Sequence, residues 1–146
     1  ADPARSRDRA AGMKLQKNTR LALYSVLEFA RRPGEHVPAS EVAERYGESA
    51  HHLAKVLSEL ARAGIVDSVR GVGGGYRFAA NAKRLTLLDV IRLFELLGDD
   101  TPTEGTTPVD RALSSVLAEI NQTALATFGS ITVATMLKLV EQRAQA

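Results

Sequence analysis

Cysteine is absent from the 146 residues, which removes disulfides, thiolate-bound metals and thiol redox switches together. No stretch approaches the roughly 18 consecutive apolar residues of a membrane span, and no apolar signal core stands at the start, so a soluble, cytoplasmic protein without a membrane partner is expected. Histidine is scarce, at three copies. No nucleophile and base stand in a recognisable pattern, and the serines and carboxylates at helix starts are accounted for by capping. No catalytic residue, metal ligand or cofactor is assigned, and an enzyme is not expected.

At 45% hydrophobic and 25% charged, the chain has an ordinary globular makeup, enough for one core and an extra helix or two. The formal charge of +2 conceals a division. Residues 13–84 carry twelve Lys and Arg against seven Asp and Glu, whereas residues 85–146 carry four against eight. A basic front and an acidic back suit a polyanion-binding unit joined to one with a different task.

The organising stretch is Ser49 to Ala79. Leu53, Val56, Leu57 and Leu60 recur with the period of one helix face, while His51, Lys55, Ser58 and Arg62 fall on the opposite, polar and basic face. Ser49 stands at the N-cap position and Gly64 at the left-handed C-terminal position. Ile65–Arg70 and Tyr76–Ala79 read as strands, with Gly71, Gly73, Gly74 and Gly75 supplying the turn between them. A helix followed by a glycine-tipped hairpin is the order of a winged helix.

Residues 1–12 lack apolar periodicity and are set aside as a tag or a disordered arm. Lys14 to Arg31 keeps helical spacing and is stopped by Pro33-Gly34. Lys17 and Arg20 lie outside its densest apolar stripe, where they either touch phosphates or line a solvated face. Ser40 to Tyr46 is a short helix closed by Gly47, and its tight turn into the Ser49 helix forms a helix-turn-helix, whose second helix enters a major groove. Thr86 to Asp89 opens a further helix with a capping box, extended to Gly98. Residues 99–108 form a polar, breaker-rich loop. Val109, Leu113, Val116, Ile120 and Ala124, widened by Ala112 and Leu117, make the apolar stripe of a long helix ended by Phe128 and Gly129, and Thr132 caps a last helix. A second copy of the same helix is the economical partner for that stripe.

Two motifs carry no chemistry of their own. The glycine run from Gly71 to Gly75 leads into a strand-like segment and lacks the Gly-Lys-Ser/Thr of a phosphate loop. His51 and His52 are adjacent, so they point about 100° apart and cannot chelate as an i, i+4 pair would.

The segments MKLQKNTRLALYSVLEFA, LAKVLSELARAGIVDSVRGVGGGYRFA, LTLLDVIRLFE and ITVATML closely resemble the Rrf2 family of bacterial winged-helix regulators, over Met13 to about Gln142, most specifically in the wing SVRGVGGGYRFA. The resemblance implies a mainly α fold with a small β-hairpin wing and a long C-terminal dimerisation helix. It implies a homodimeric transcription factor, usually a repressor, on double-stranded DNA. By position it implies base or phosphate contacts from Ser49, His51, His52 and Lys55, and minor-groove or backbone contacts from Arg70, Gly71, Gly73 and Gly74; Arg77 in the second wing strand is counted with them. The expected divisions are a winged unit over 13–84, a connecting helix and sensing loop over 85–108, and a dimerisation region over 109–146. Iron-sulfur members place three cysteines between the capped helix and the dimer helix, where this chain reads DDTPTEGTTP. Sensing by a small-molecule effector or a partner protein, without a cysteine-ligated cluster, is therefore expected. A winged-helix protein-interaction adaptor is the alternative reading, told apart by salt-dependent DNA binding.

Overall fold

The structure, a computed structural model, describes residues 15–95 and 107–145. In chain order it contains α1 (Lys17–Ala30), α2 (Ala39–Arg45), α3 (Ala50–Arg62), β1 (Val66–Val69), β2 (Gly75–Phe78), α4 (Leu87–Ile91), α5 (Pro108–Ser130) and α6 (Val133–Ala144). This is a mainly α fold with a two-stranded antiparallel wing.

The core is the sum of the stripes visible in the sequence. Ala22, Val26 and Phe29 of α1, Val42 of α2 and Leu53, Val56, Leu57 and Leu60 of α3 are buried in one cluster, which also takes Val66 from β1, Val90 from α4 and Val133 from α6. Burial of a whole Leu, Val or Phe side chain is worth about 1.5–3 kcal/mol, so these positions rather than backbone propensity hold α1, α2 and α3 together. The turns follow from local chemistry. The α2 end is a Schellman motif, with Glu48 N–H donating to Ala43 O at 2.8 Å and Gly47 at φ +66°. The α3 end repeats it, Ile65 N–H donating to Leu60 O at 3.0 Å.

Several boundaries differ from expectation. The short helix α2 is entered through Pro38 without a side-chain cap, so Ser40 is an internal residue of its first turn rather than its start. The capping box of Thr86 and Asp89 forms as read, but α4 ends at Ile91. There the N–H groups of Leu93 and Phe94 reach back only three residues, to Val90 and Ile91, at 3.1 Å each, which tightens the chain into a turn. Phe128 and Gly129 do not end α5, which runs through both to Ser130. Gly129 has a packing role, since a Cβ there would lie 3.3 Å from Leu88 Cδ2 of α4. The last helix begins at its Thr132 cap as expected. Its start is tied to the connector by Val133 N–H to Leu85 O and Ala134 N–H to Ala82 O, both 2.8 Å.

The wing pairs Val66 with Phe78, Asp67 with Arg77, Ser68 with Tyr76 and Val69 with Gly75. Its second strand is pinned near the tip to the α1–α2 connection by a bridge in which Val37 and Tyr76 exchange two N–H to O bonds of 2.8 Å. Gly75 makes that approach possible. It sits at φ +149°, and a Cβ would lie 2.6 Å from the carbonyl carbon and oxygen of Val37.

Candidate nucleic-acid interface

The first helix of the helix-turn-helix is seated by a buried carboxylate. Glu28 of α1 is 7% exposed. It accepts from Arg45 Nη1 at 2.8 Å and from Tyr46 Oη at 2.7 Å. The Tyr46 ring stacks on Tyr24 with centroids 4.5 Å apart and 5° between planes. Burial, and next the hydrogen bond to Glu28, push the Tyr46 phenol above its ordinary pKa, so it stays a donor. These contacts fix α2 on α1 and hence the angle at which α3 leaves the turn.

The cap of α3 is as expected, Ser49 Oγ accepting from His52 N–H at 3.1 Å. Its outward face carries His51, Ala54, Lys55, Ser58, Glu59 and Arg62 along an open groove of about 410 Å³. A face with a small residue at its centre, a lysine, a histidine and a hydroxyl around it can lie close to a flat, hydrogen-bonding surface. His51 and Lys55 make no hydrogen bond or ion pair with the described residues, while Arg62 is paired with Glu59 at 2.9 Å.

The other positions divide. Arg70 is exposed at the end of the first wing strand and has no partner among the described residues. Gly71 at φ +101° and Gly73 at φ +76° shape the tip after it, and Gly74 N–H closes the turn on Gly71 O at 3.0 Å. Arg77 instead pairs across the wing with Asp67 at 3.0 Å. Lys17 pairs with Glu48 at 2.9 Å, a contact that holds the Glu48 carboxyl below its usual pKa. His52 reaches α1 at the surface, its Nε2 lying 2.7 Å from Asn18 Oδ1. Arg20 is half-buried, with its Nε turned away from solvent and the side chain engaged within the protein. Among the described residues His51, Lys55 and Arg70 are thus unpaired, while Lys17, His52 and Arg77 make contacts within the protein. Sequence reading passed over Ala54 and Glu59; the helical period around Lys55 was the signal that could have placed them.

The long helix presents its stripe to solvent. Val109, Leu113, Val116, Leu117 and Ile120 are 76%, 56%, 52%, 55% and 60% exposed, and α5 has no buried residue. Ala124 is half-buried nearer the end that α4 covers. Of the loop named for sensing, only Thr107 and Pro108 lie within the described residues, where they cap and open α5.

This arrangement is that of a winged helix-turn-helix transcriptional regulator. The profile of Rrf2, described as an iron-dependent transcriptional regulator, matches residues 15–139, and the chain belongs to that family. It is 47% identical over 131 residues to the putative HTH-type transcriptional regulator BadM of Rhodopseudomonas palustris, covering 88% of this chain and 84% of BadM. Among solved structures it resembles T. potens IscR, with a TM-score of 0.76 and 29% identity over 94% of this chain and 95% of that one. It also resembles CymR, the global cysteine regulator of B. subtilis, with a TM-score of 0.73 and 26% identity over 87% and 98%. These relatives are transcriptional regulators, not enzymes.

The family's description names iron, for which this chain has few donors. There is no thiolate, and among the described residues no three His, Asp or Glu side chains converge as metal ligands. The described residues do not fit a cysteine-ligated cluster.

Proposed function

We propose that this regulator is a homodimeric repressor that reads an inverted-repeat operator with α3 and grips the flanking groove with the wing. The single observation that carries the reading is the division of the polar side chains. Among the described residues His51, Lys55 and Arg70 stand unpaired at exposed positions on α3 and at the wing tip, where a polar side chain without an internal partner has a phosphate or a base edge to meet. Ser49, Gly71, Gly73 and Gly74 bring backbone close to the DNA. Lys17, Arg20, His52 and Arg77 act chiefly by holding these elements in place. The exposed stripe of α5 supports dimerisation, with Val109, Leu113, Val116, Leu117, Ile120 and Ala124 meeting their copies across a twofold axis. Residues 13–84 are the working winged unit, 85–108 the connector and 109–146 the dimerisation region. The signal is a small molecule or a partner protein received between head and dimer helix, since the donor set offers no cluster site.

Salt-titrated affinities of Lys55→Ala, His51→Ala and Arg70→Ala on operator and scrambled duplexes test the reading. The α3 substitutions should each cost about 1–3 kcal/mol on operator and blur one position per half-site. Arg70→Ala should weaken both duplexes and shrink the salt slope by about one unit per head. Equal losses on both duplexes for all three would remove α3 as the reader. A wild type indifferent to DNA at low salt would leave the adaptor reading.

A further inference from the structure

Helix α1 begins without its own means of capping. Its N-cap residue is Gln16, which makes no side-chain cap, and its first turn contains no acidic residue. The missing acceptor comes from 79 residues downstream. Glu95 Oε1, in the turn after α4, accepts from Gln16 N–H at 2.7 Å and from Thr19 Oγ1 at 2.7 Å. Thr19 is wholly buried, so its hydroxyl has no water to turn to, and a carboxylate at this end of α1 also meets the positive end of the helix dipole.

The same turn of α1 holds the reading helix. Lys17 Nζ is 2.9 Å from Glu48 Oε2, one residue before the α3 cap, and Asn18 Oδ1 is 2.7 Å from His52 Nε2, inside the first turn of α3. Four consecutive residues, Gln16 to Thr19, are therefore gripped by Glu95 through the outer two and by the start of α3 through the inner two. Rotating or fraying that turn by a fraction of a residue would move the lysine and the asparagine together, and with them the end of α3 that carries Ser49, His51 and His52.

We infer that Glu95 is a positioning residue for the reading helix, setting the attitude of α3 through the first turn of α1. The inference rests on the reading of α3 as the DNA-contacting helix. Glu95 touches no proposed DNA contact itself, so its loss should lower discrimination and spare general affinity, because the wing and the phosphate contacts remain.

The experiment measures the ratio of operator to scrambled-duplex affinity for the full chain. Glu95→Ala should lower the ratio about tenfold and leave the scrambled-duplex affinity within about twofold, a tenfold change being about 1.4 kcal/mol. Glu95→Gln keeps a carbonyl oxygen for both donors and should restore the ratio to near wild type. Thr19→Ala, a milder cut of the same link, should lose part of it. In a double-mutant cycle, His52→Ala should cost less in the Glu95→Ala background than in wild type, because the contact it removes is already loosened. Glu95→Ala with a wild-type ratio, or an additive cycle, overturns the inference. Were Glu95→Ala not to fold, a wild-type ratio for Thr19→Ala overturns it equally. Failure of the underlying reading looks different: wild type itself would then show no preference for operator.

Discussion

Placing a charge at the centre of α5 should split the proposed dimer and leave the winged unit folded. Ile120 is 60% exposed, and no residue of α5 belongs to the buried core cluster. Full burial of an isoleucine is worth about 1.5–3 kcal/mol, so rather more than half of that, about 1–2 kcal/mol, remains for a partner to collect at this position. A twofold interface contains the position twice, which raises the loss on removing the side chain to about 2–4 kcal/mol. Ile120→Glu also brings two unpaired carboxylates into an apolar seam, adding several kcal/mol unless they take up protons. Since each 1.4 kcal/mol is tenfold in Kd, the dimer should weaken by at least about a hundredfold. Sedimentation equilibrium over a micromolar range should show dimer for wild type and monomer for Ile120→Glu, with unchanged far-ultraviolet circular dichroism. A monomeric wild type at micromolar concentration, or a variant that unfolds rather than dissociates, would mean that the α5 stripe is not a dimer seam.

Gly75→Ala should detach β2 from the α1–α2 connection, because a methyl group would lie 2.6 Å from the Val37 backbone at a φ of +149°; amide exchange at Val37 and Tyr76 should accelerate while exchange in α3 is little changed. The Tyr46 phenol should ionise only at pH values well above the ordinary tyrosine range, followed by ultraviolet absorbance. Its raised pKa contributes stability that is fully present below the unfolded tyrosine pKa and fades as pH rises through the folded value, and Glu28→Gln should bring the transition down. Protein purified without oxygen should contain no stoichiometric iron and sulfide and show no visible absorbance band; finding them would mean ligands outside the donor set described.

The reading head was legible because each of its features is local. The spacing of Leu53, Val56, Leu57 and Leu60, the Ser49 cap and the tip glycines Gly71 and Gly73 each act within a turn or two of chain, and each is found in place, whereas Gly75, expected in the turn, lies in β2 against Val37. The exposure of the α5 stripe was legible for the same reason. What escaped was long-range pairing. Nothing around Lys17, His52 or Arg77 says that Glu48, Asn18 and Asp67 will engage them. Nor does LTLLDVIRLFE announce that Glu95 will cap a helix 79 residues earlier. A bare helix start at Gln16 was the only trace, and a missing cap does not name its supplier. The end of α5 was misplaced because Gly129 read as a helix stop, whereas its small size serves packing against Leu88.

Selection of duplexes from a random pool by the full chain, followed by sequencing, shows whether α3 reads DNA sequence. The selected duplexes should share an inverted repeat whose half-site centres lie about 34 Å, or a multiple of one helical turn, apart, and which is lost from the pool when Lys55→Ala and His51→Ala are combined. Recovery of an unbiased pool, or of a motif that the doubly substituted protein selects equally well, would contradict it.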